Sequence, residues 1–319
     1  MEQHTPERLS FSSTGTSRSQ RTLPALLPDY VRIDDRSLPQ LLAYTAEYAR
    51  LVRHYNDADE ATGSWESFFT TDISVILASI ISTDLEALEL EQQRLVQAIS
   101  QSYQELEKYG HLLSLCQLIL GIARQVDSWF RQAARINLHD RGLEHKLYQE
   151  LHNVIETRLR HQLAELITID RGAAAKDALG EALGLDYEGF HTLWQVDLTI
   201  KPERHIYKGA NWLEKIDAAL VQTRLLYRGF FNTLSFLVVH FQEHFERSLQ
   251  EKADHKPEIG LFIAFLEQFR HAQDDLNALS SRHLAFYYTQ LLGQARRGPI
   301  PDEAHVCFRL APQAKRHRL

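Results

Sequence analysis

Apolar side chains recur at intervals of three and four residues along most of this chain, which is the spacing of one face of an α-helix. The first run follows Ser37, a favourable N-cap residue, and carries Pro39 in its first turn, where a missing N–H is tolerated. Turn-forming residues between Asn56 and Gly63 are expected to end this helix. Its predicted apolar face consists of Leu38, Leu41, Leu42, Thr45, Tyr48, Ala49 and Val52.

A second helix is predicted from Ile73 to Ile81, with Thr70 or Thr71 as its N-cap. Just before it, three aromatic side chains fall close together, namely Trp65, Phe68 and Phe69. We interpret the whole stretch as a helical hairpin that a buried aromatic plug locks together. The alternative for the same three aromatic residues is an exposed hot spot for a partner protein.

Further amphipathic patterns predict helices over residues 85–109, 111–138, 144–169, 211–250 and from 257 to about 293. The glycine-containing stretch 171–194 favours two short helices. Residues 195–209 alternate between apolar and polar side chains and favour an extended segment or a small hairpin. The same alternation at Val306, Phe308 and Leu310 predicts a strand near the end of the chain.

The fold predicted from these patterns is mainly α, a multi-helix bundle with long helices. A polar, Ser/Thr-rich arm at residues 1–25 is expected to be disordered, and residues 296–319 to be extended or β. Between them, a helical half at residues 26–195 and another at 210–295 are expected to be joined by an irregular seam at 196–209.

Composition narrows the class of protein. The chain has 319 residues, of which 44% are hydrophobic and 24% charged, as is usual for a globular protein. Its net charge of −7 does not favour nucleic-acid binding. Two distant cysteines, Cys116 and Cys307, predict neither a disulfide framework nor a zinc cluster, and Cys116 is expected to be a small buried hydrophobe. The sequence contains neither a signal peptide nor a membrane span, which suggests synthesis in the cytoplasm.

The most specific catalytic pattern is H-x-x-E-H at His240, Glu243 and His244. Histidines at i and i+4 share a helix face and can both ligate zinc, with the glutamate as general base. A third ligand would come from Glu258, Glu267 or Asp274. The acidic turn at Asn56 to Glu60 lacks the ligand spacing of a calcium-binding loop. A zinc hydrolase is therefore one alternative, and a generic helical adaptor is another.

Separated blocks of the sequence resemble one family. PDYVRIDDRS, LLAYTAEYARLVRHYND, GSWESFF and DISVILASI are similar to the start of the J-like baseplate proteins of extracellular contractile injection systems. These are the antifeeding-prophage and virulence-cassette type, which are relatives of phage tail wedge proteins. LNALSSRHLAFYYTQLLG and PDEAHVCFRLAP resemble the junction at which their helical part passes into β-rich domains. Family members are usually much longer, so the resemblance implies a truncated or split protein.

The resemblance implies a structural baseplate component that is not an enzyme and needs no cofactor. Its partners would be other wedge or baseplate subunits, with neither nucleic acid nor a membrane span involved. The particle would assemble inside the cell, with later release outside it as a further possibility. The residues expected to contribute to the aromatic plug or to subunit contacts are Tyr30, Arg36, Tyr48, Tyr55, Trp65, Phe68, Phe69 and Tyr287.

Overall fold

The computed structural model describes residues 32–138, 142–175, 177–199, 206–250 and 255–295. Within these residues the fold is mainly α, with one small two-stranded sheet, so the predicted fold class is confirmed. The arm at 1–25, Tyr30 and the segment at 296–319 lie outside the described residues. No helix in the described part of the chain is long and apolar enough to cross a bilayer.

The first elements are α1 (Leu38–Leu51), β1 (Arg53–Tyr55), β2 (Ala61–Ser64), α2 (Glu66–Phe69) and α3 (Ile73–Ile81). The Ser37 N–H donates to Gln40 Oε1 at 2.7 Å, which confirms the predicted start of α1. Asp72, and neither Thr70 nor Thr71, caps α3 by accepting from the Ser74 N–H at 2.8 Å. The two threonine hydroxyls donate instead to carbonyls of the preceding turn, so they are not free to cap.

The predicted turn after α1 contains a β-hairpin that the sequence pattern did not indicate. β1 and β2 pair antiparallel, with Arg53 opposite Ser64 and an irregularity beyond His54. Asn56 Oδ1 accepts from the N–H groups of Ala58 and Glu60, and these bonds close the turn. The strands are exposed and lack an apolar face, which is why period-two alternation could not reveal them.

The next helices are α4 (Leu85–Gln101) and α5 (Glu105–Ile136). The predicted helix at 85–109 therefore ends early, and Gly110 lies inside α5 instead of near a break. Tyr103 and Leu106, which continue the helical spacing of apolar residues in 85–109, are 87% and 82% exposed. Packing of α4 against α5 decides the position of the break, and no local turn residue marks it.

Helix α6 (Leu143–Val154), a π-helical segment (Ile155–Leu159) and α7 (Arg160–Ala173) follow without interruption, which confirms the helix predicted over 144–169. The prediction of two short helices in 171–194 is wrong beyond Ala173. That stretch consists of turns, with a 3-10 turn at Thr192–Trp194. Residues 195–199 contain no strand, and the rest of the predicted seam lies largely outside the described residues.

The long α8 (Trp212–Gln250) and α9 (Pro257–Phe286), which continues as a π-helical segment (Tyr287–Leu291), match the predicted helices closely. α8 packs against α3, α5 and α7, so the two predicted halves share one core and do not form separate ones. Contacts instead divide the chain into residues 36–269 and a second compact unit, of which 32–35 and 270–295 are described. Large fully buried side chains of the core include Trp129, Trp194, Phe130, Phe230, Phe241, Leu42 and Ile76.

Candidate functional site

The predicted aromatic cluster forms, but it runs from the surface to the core. Trp65 packs edge-to-face on Phe68, Phe68 on Phe69, and Phe69 on Phe262, with ring centroids 5.9, 5.1 and 5.4 Å apart. Phe68 and Phe69 are half-buried against the core, whereas Trp65 remains 43% exposed. The interpretation as a buried plug therefore fits the two phenylalanines and does not fit Trp65.

A second group of aromatic side chains lies on the outer face of α1 and on β1. Tyr44 and Tyr48 stack with centroids 6.4 Å apart, and the Arg36 guanidinium lies 5.7 Å from the Tyr44 ring. Tyr48 was assigned to the apolar face of α1 but is exposed, because Ala46 takes the buried position. Tyr55 on β1 is also exposed. Tyr48 and Tyr55 are therefore exposed, and the expected role of Arg36, Tyr48 and Tyr55 in subunit contacts stays a prediction.

Beside Trp65 lies an open groove of about 830 Å³. Its walls are formed by β2, by α2 with the turn that follows it, by the C-terminal part of α5 and by Lys256. Arg131, Arg135 and Lys256 bring three positive charges to the lining, and Glu66 is the carboxylate among its described residues. Because Arg and Lys are preferred partners of carboxylates and phosphates, the groove has the chemistry of an anion site.

A buried carboxylate holds one of these arginines. Arg131 Nε donates to Asp127 Oδ2 at 2.7 Å, and a second guanidinium nitrogen donates to the Gly189 carbonyl. Asp127 Oδ1 accepts from the His191 N–H at 3.0 Å and from Trp194 Nε1 at 2.9 Å. Asp127 thus neutralises much of the Arg131 charge and joins α5 to the turns at 174–194.

Among the residues that the structure describes, neither Arg135 nor Lys256 of the groove has such a counterion. Arg135 lies one turn after Arg131, is exposed, and makes no ion pair within the described residues. Lys256 is exposed as well, and its Nζ donates to Thr71 Oγ1 at 2.9 Å. The preceding His255 is anchored to the buried Asp72, which holds Lys256 at the groove. Sequence reasoning missed this site, although the i, i+4 spacing of Arg131 and Arg135 was a local signal for it.

The H-x-x-E-H residues lie on α8. The rings of His240 and His244 are 5.1 Å apart, and His240 Nε2 is 4.0 Å from the Glu150 carboxylate, while Glu243 is exposed. No group of three or more His, Cys, Asp or Glu in the described part of the chain is arranged to hold a metal ion. His240 and His244 therefore lie on one helix face, as the zinc hypothesis expects, but the described residues place no third ligand beside them.

The buried titratable groups form part of the packed core and its hydrogen bonds. Cys116 is buried as predicted, and burial raises the pKa of its thiol to about 12, so it remains protonated and is a poor nucleophile. Burial also raises the pKa of Asp170, whose Oδ1 accepts from the Gly184 N–H at 3.0 Å. The Tyr207 hydroxyl donates to the Ile169 carbonyl at 2.8 Å. These bonds fasten the turns after α7 to the helices.

In the unit that includes residues 270–295, the end of α9 and its π-helical continuation are strongly exposed. Asn277 Oδ1 accepts from the N–H groups of Ile33 and Asp34, which ties the described N-terminal residues to this helix. From Leu276 onward, eight apolar or aromatic side chains are between 38% and 64% exposed. They are Leu276, Leu279, Leu284, Phe286, Tyr287, Tyr288, Leu291 and Leu292.

Comparison with protein-family models and curated proteins identified no relative of the chain. No protein-family model matches the chain, and no curated protein matches its sequence.

Proposed function

We propose that this chain is a structural component of the baseplate of a phage-tail-like contractile injection system, either a wedge protein or the N-terminal part of one. It would act by binding other wedge subunits, and the free energy would come from burying apolar surface between proteins. The generic helical adaptor is the alternative that the same surfaces allow.

The observation that supports this proposal is the exposed end of α9. Single-chain proteins rarely leave so many neighbouring apolar side chains in water, and such surfaces usually mark sites of protein contact. Phe286, Tyr287 and Tyr288 are of the type that dominates binding energy at interfaces, because each buries a large area with few rotatable bonds. The stretch Leu276–Gly293 is also the block that resembles the family junction.

The outer face of α1 adds a second surface of the same kind. Tyr44, Tyr48 and Tyr55 are exposed and belong to another of the blocks that resemble the family. Two of these blocks therefore carry exposed aromatic side chains, as expected of a protein that contacts other subunits.

The proposal is tested by measuring whether the chain assembles into injection particles. The full chain should be co-expressed with any sheath, tube, spike and wedge proteins that its gene neighbourhood encodes, and its presence in purified particles measured. The variant Tyr287→Ser/Tyr288→Ser should enter particles at least about tenfold less while keeping its helical circular dichroism, since even one hot-spot tyrosine contributes about 2 kcal/mol or more. Tyr103→Ser, which removes a tyrosine exposed elsewhere, is the matched control and should assemble normally.

Two results would contradict the proposal. One is a gene neighbourhood without sheath, tube and spike proteins, which would favour the adaptor. The other is equal incorporation of the Tyr287→Ser/Tyr288→Ser variant and the wild type, which would remove the end of α9 as a contact surface.

A further inference from the structure

We propose that the groove lined by β2, α5 and Lys256 docks an extended acidic segment of a partner polypeptide. This inference goes beyond the baseplate proposal and does not depend on which particle, if any, the chain joins. It rests on the charge of the groove, on the free edge of β2 and on the way the cations are held.

The charge of the groove is opposite to that of the whole protein. The chain carries a net charge of −7, whereas Arg135 and Lys256 face the groove without a paired carboxylate among the described residues. Arg131 adds a third cation that is partly neutralised by Asp127, and Glu66 supplies the opposing negative charge. His54 also lines the groove. A carboxylate-bearing ligand would thus be attracted here and repelled by most of the remaining surface.

The β2 strand offers backbone groups to an extended ligand. β2 pairs with β1 on one side, and no strand of the described chain pairs with its other edge. Thr62, Gly63 and Ser64 of this strand line the groove. An extended peptide can add to such an edge through main-chain hydrogen bonds, with its side chains alternately facing the groove and solvent. A free inorganic anion would leave this edge unused.

The dimensions and preorganisation agree with a peptide ligand. A volume of about 830 Å³ is at the upper end of small-ligand pockets and accommodates several residues. Trp65, exposed at the wall, provides an apolar contact for a groove-facing side chain of the ligand. Arg131 is fixed by Asp127, and Lys256 Nζ donates to Thr71 Oγ1, so these two side chains lose little freedom on binding.

The experiment measures fluorescence anisotropy of labelled peptides on the full chain. The probe is a peptide of about ten residues with alternating Glu and Thr, because β-branched residues favour an extended chain. We expect saturable binding that weakens as salt is raised, since exposed charges are screened. Arg135→Gln/Lys256→Gln should weaken binding about tenfold or more. The control Arg224→Gln/Arg228→Gln removes two exposed charges from α8 and should leave affinity within about twofold.

Three further probes make the proposal falsifiable. A peptide with Gln in place of every Glu should bind about tenfold more weakly. So should a Glu peptide N-methylated at every residue, because it has no N–H left to donate to a strand edge. Inorganic phosphate at matched ionic strength should not compete. Equal loss of binding in both double variants, or unchanged binding of the methylated peptide, would overturn the proposal. Competition by phosphate would identify a site for small anions instead. Unchanged thermal unfolding of both variants ensures that the comparison reports on the groove.

Discussion

Asp72 and His255 are far apart in the sequence, yet His255 Nδ1 lies 3.1 Å from Asp72 Oδ2. Both side chains are almost fully buried, with 2% and 8% of their surfaces exposed. The other oxygen of the same carboxylate caps α3 through the Ser74 N–H. One side chain therefore fixes the start of α3 and also the residues that precede α9, including Lys256 of the groove.

Replacing Asp72 by Ala should lower the free energy of unfolding by about 2–4 kcal/mol. The loss combines an N-cap, worth about 1 kcal/mol, with a buried imidazole N–H left without an acceptor. Asp72→Asn keeps one oxygen for the Ser74 N–H and places an amide NH2 opposite His255, so it should cost less than Asp72→Ala. Urea unfolding gives the values. Asp84→Ala is the matched control, because Asp84 caps α4 at an exposed site and should cost only about 1 kcal/mol. Equal losses at Asp72 and Asp84 would contradict the role of His255.

The aromatic cluster should respond unevenly to truncation. Phe69→Ala removes a half-buried ring packed on Phe262 and should cost about 2–3 kcal/mol, whereas Trp65→Ala should cost about 1 kcal/mol, because much of the Trp65 ring is already in water. A double-mutant cycle of Phe69 and Phe262 should give a coupling of about 0.5–1.5 kcal/mol. A larger loss for Trp65 than for Phe69 would restore the interpretation of Trp65 as a buried plug.

Loss of the Asp127 carboxylate should be among the most damaging single changes. Asp127→Ala leaves the Arg131 guanidinium and the buried Trp194 indole N–H without their acceptor, and we expect a cost of about 3–5 kcal/mol. The indole N–H of Trp194 should also shift in a proton NMR spectrum. Asp186→Ala breaks the fully exposed pair with Arg124 and serves as the control, with little change in stability expected.

Cys116 should not react with a thiol reagent in the folded protein. In a Cys307→Ser background, which leaves Cys116 as the single cysteine, a disulfide-exchange reagent should label the chain only after unfolding. Fast labelling under native conditions would contradict its burial.

The same thiol should make stability depend on alkaline pH. Its pKa is about 12 in the folded chain, against an ordinary value of 9.0. Between these values the unfolded chain releases the proton while the folded chain retains it, so the free energy of unfolding falls as pH rises through this window. Burial raises the pKa of Tyr207 and Tyr227 in the same direction. Cys116→Ala should therefore make the alkaline loss of stability shallower without removing it, as measured by urea unfolding at several pH values.

The zinc hypothesis has a direct test. If the chain is a structural baseplate protein, isothermal titration with zinc should give no one-to-one complex. Binding of one zinc ion per chain, abolished by both His240→Ala and His244→Ala, would instead favour the hydrolase, with Glu243 as its base. His161→Ala, a histidine on α7 outside the motif, is the control for nonspecific binding.

The helices were largely predictable because their signals are local. Ser37 and Pro39 mark the start of α1, and Pro257 marks the start of α9. The extent of α8 follows from apolar side chains at helical spacing over 39 residues. Such patterns report which face of a helix must be buried, and neighbouring residues suffice to set them.

Features that depend on distant partners were not predictable in this way. The choice of Asp72 as the cap of α3 and the groove beside Trp65 arise where chain segments far apart in sequence meet. The β-hairpin is local, but its exposed strands have no apolar face that a sequence pattern could reveal. Thr70 and Asp72 are both reasonable caps by composition, and the buried contact with His255 favours Asp72. The sequence by itself determined the helical class and most helix starts, because local periodicity and capping depend on adjacent residues. Only the tertiary structure decided which cations share a groove and which aromatic side chains remain in water, because those depend on contacts between distant parts of the chain.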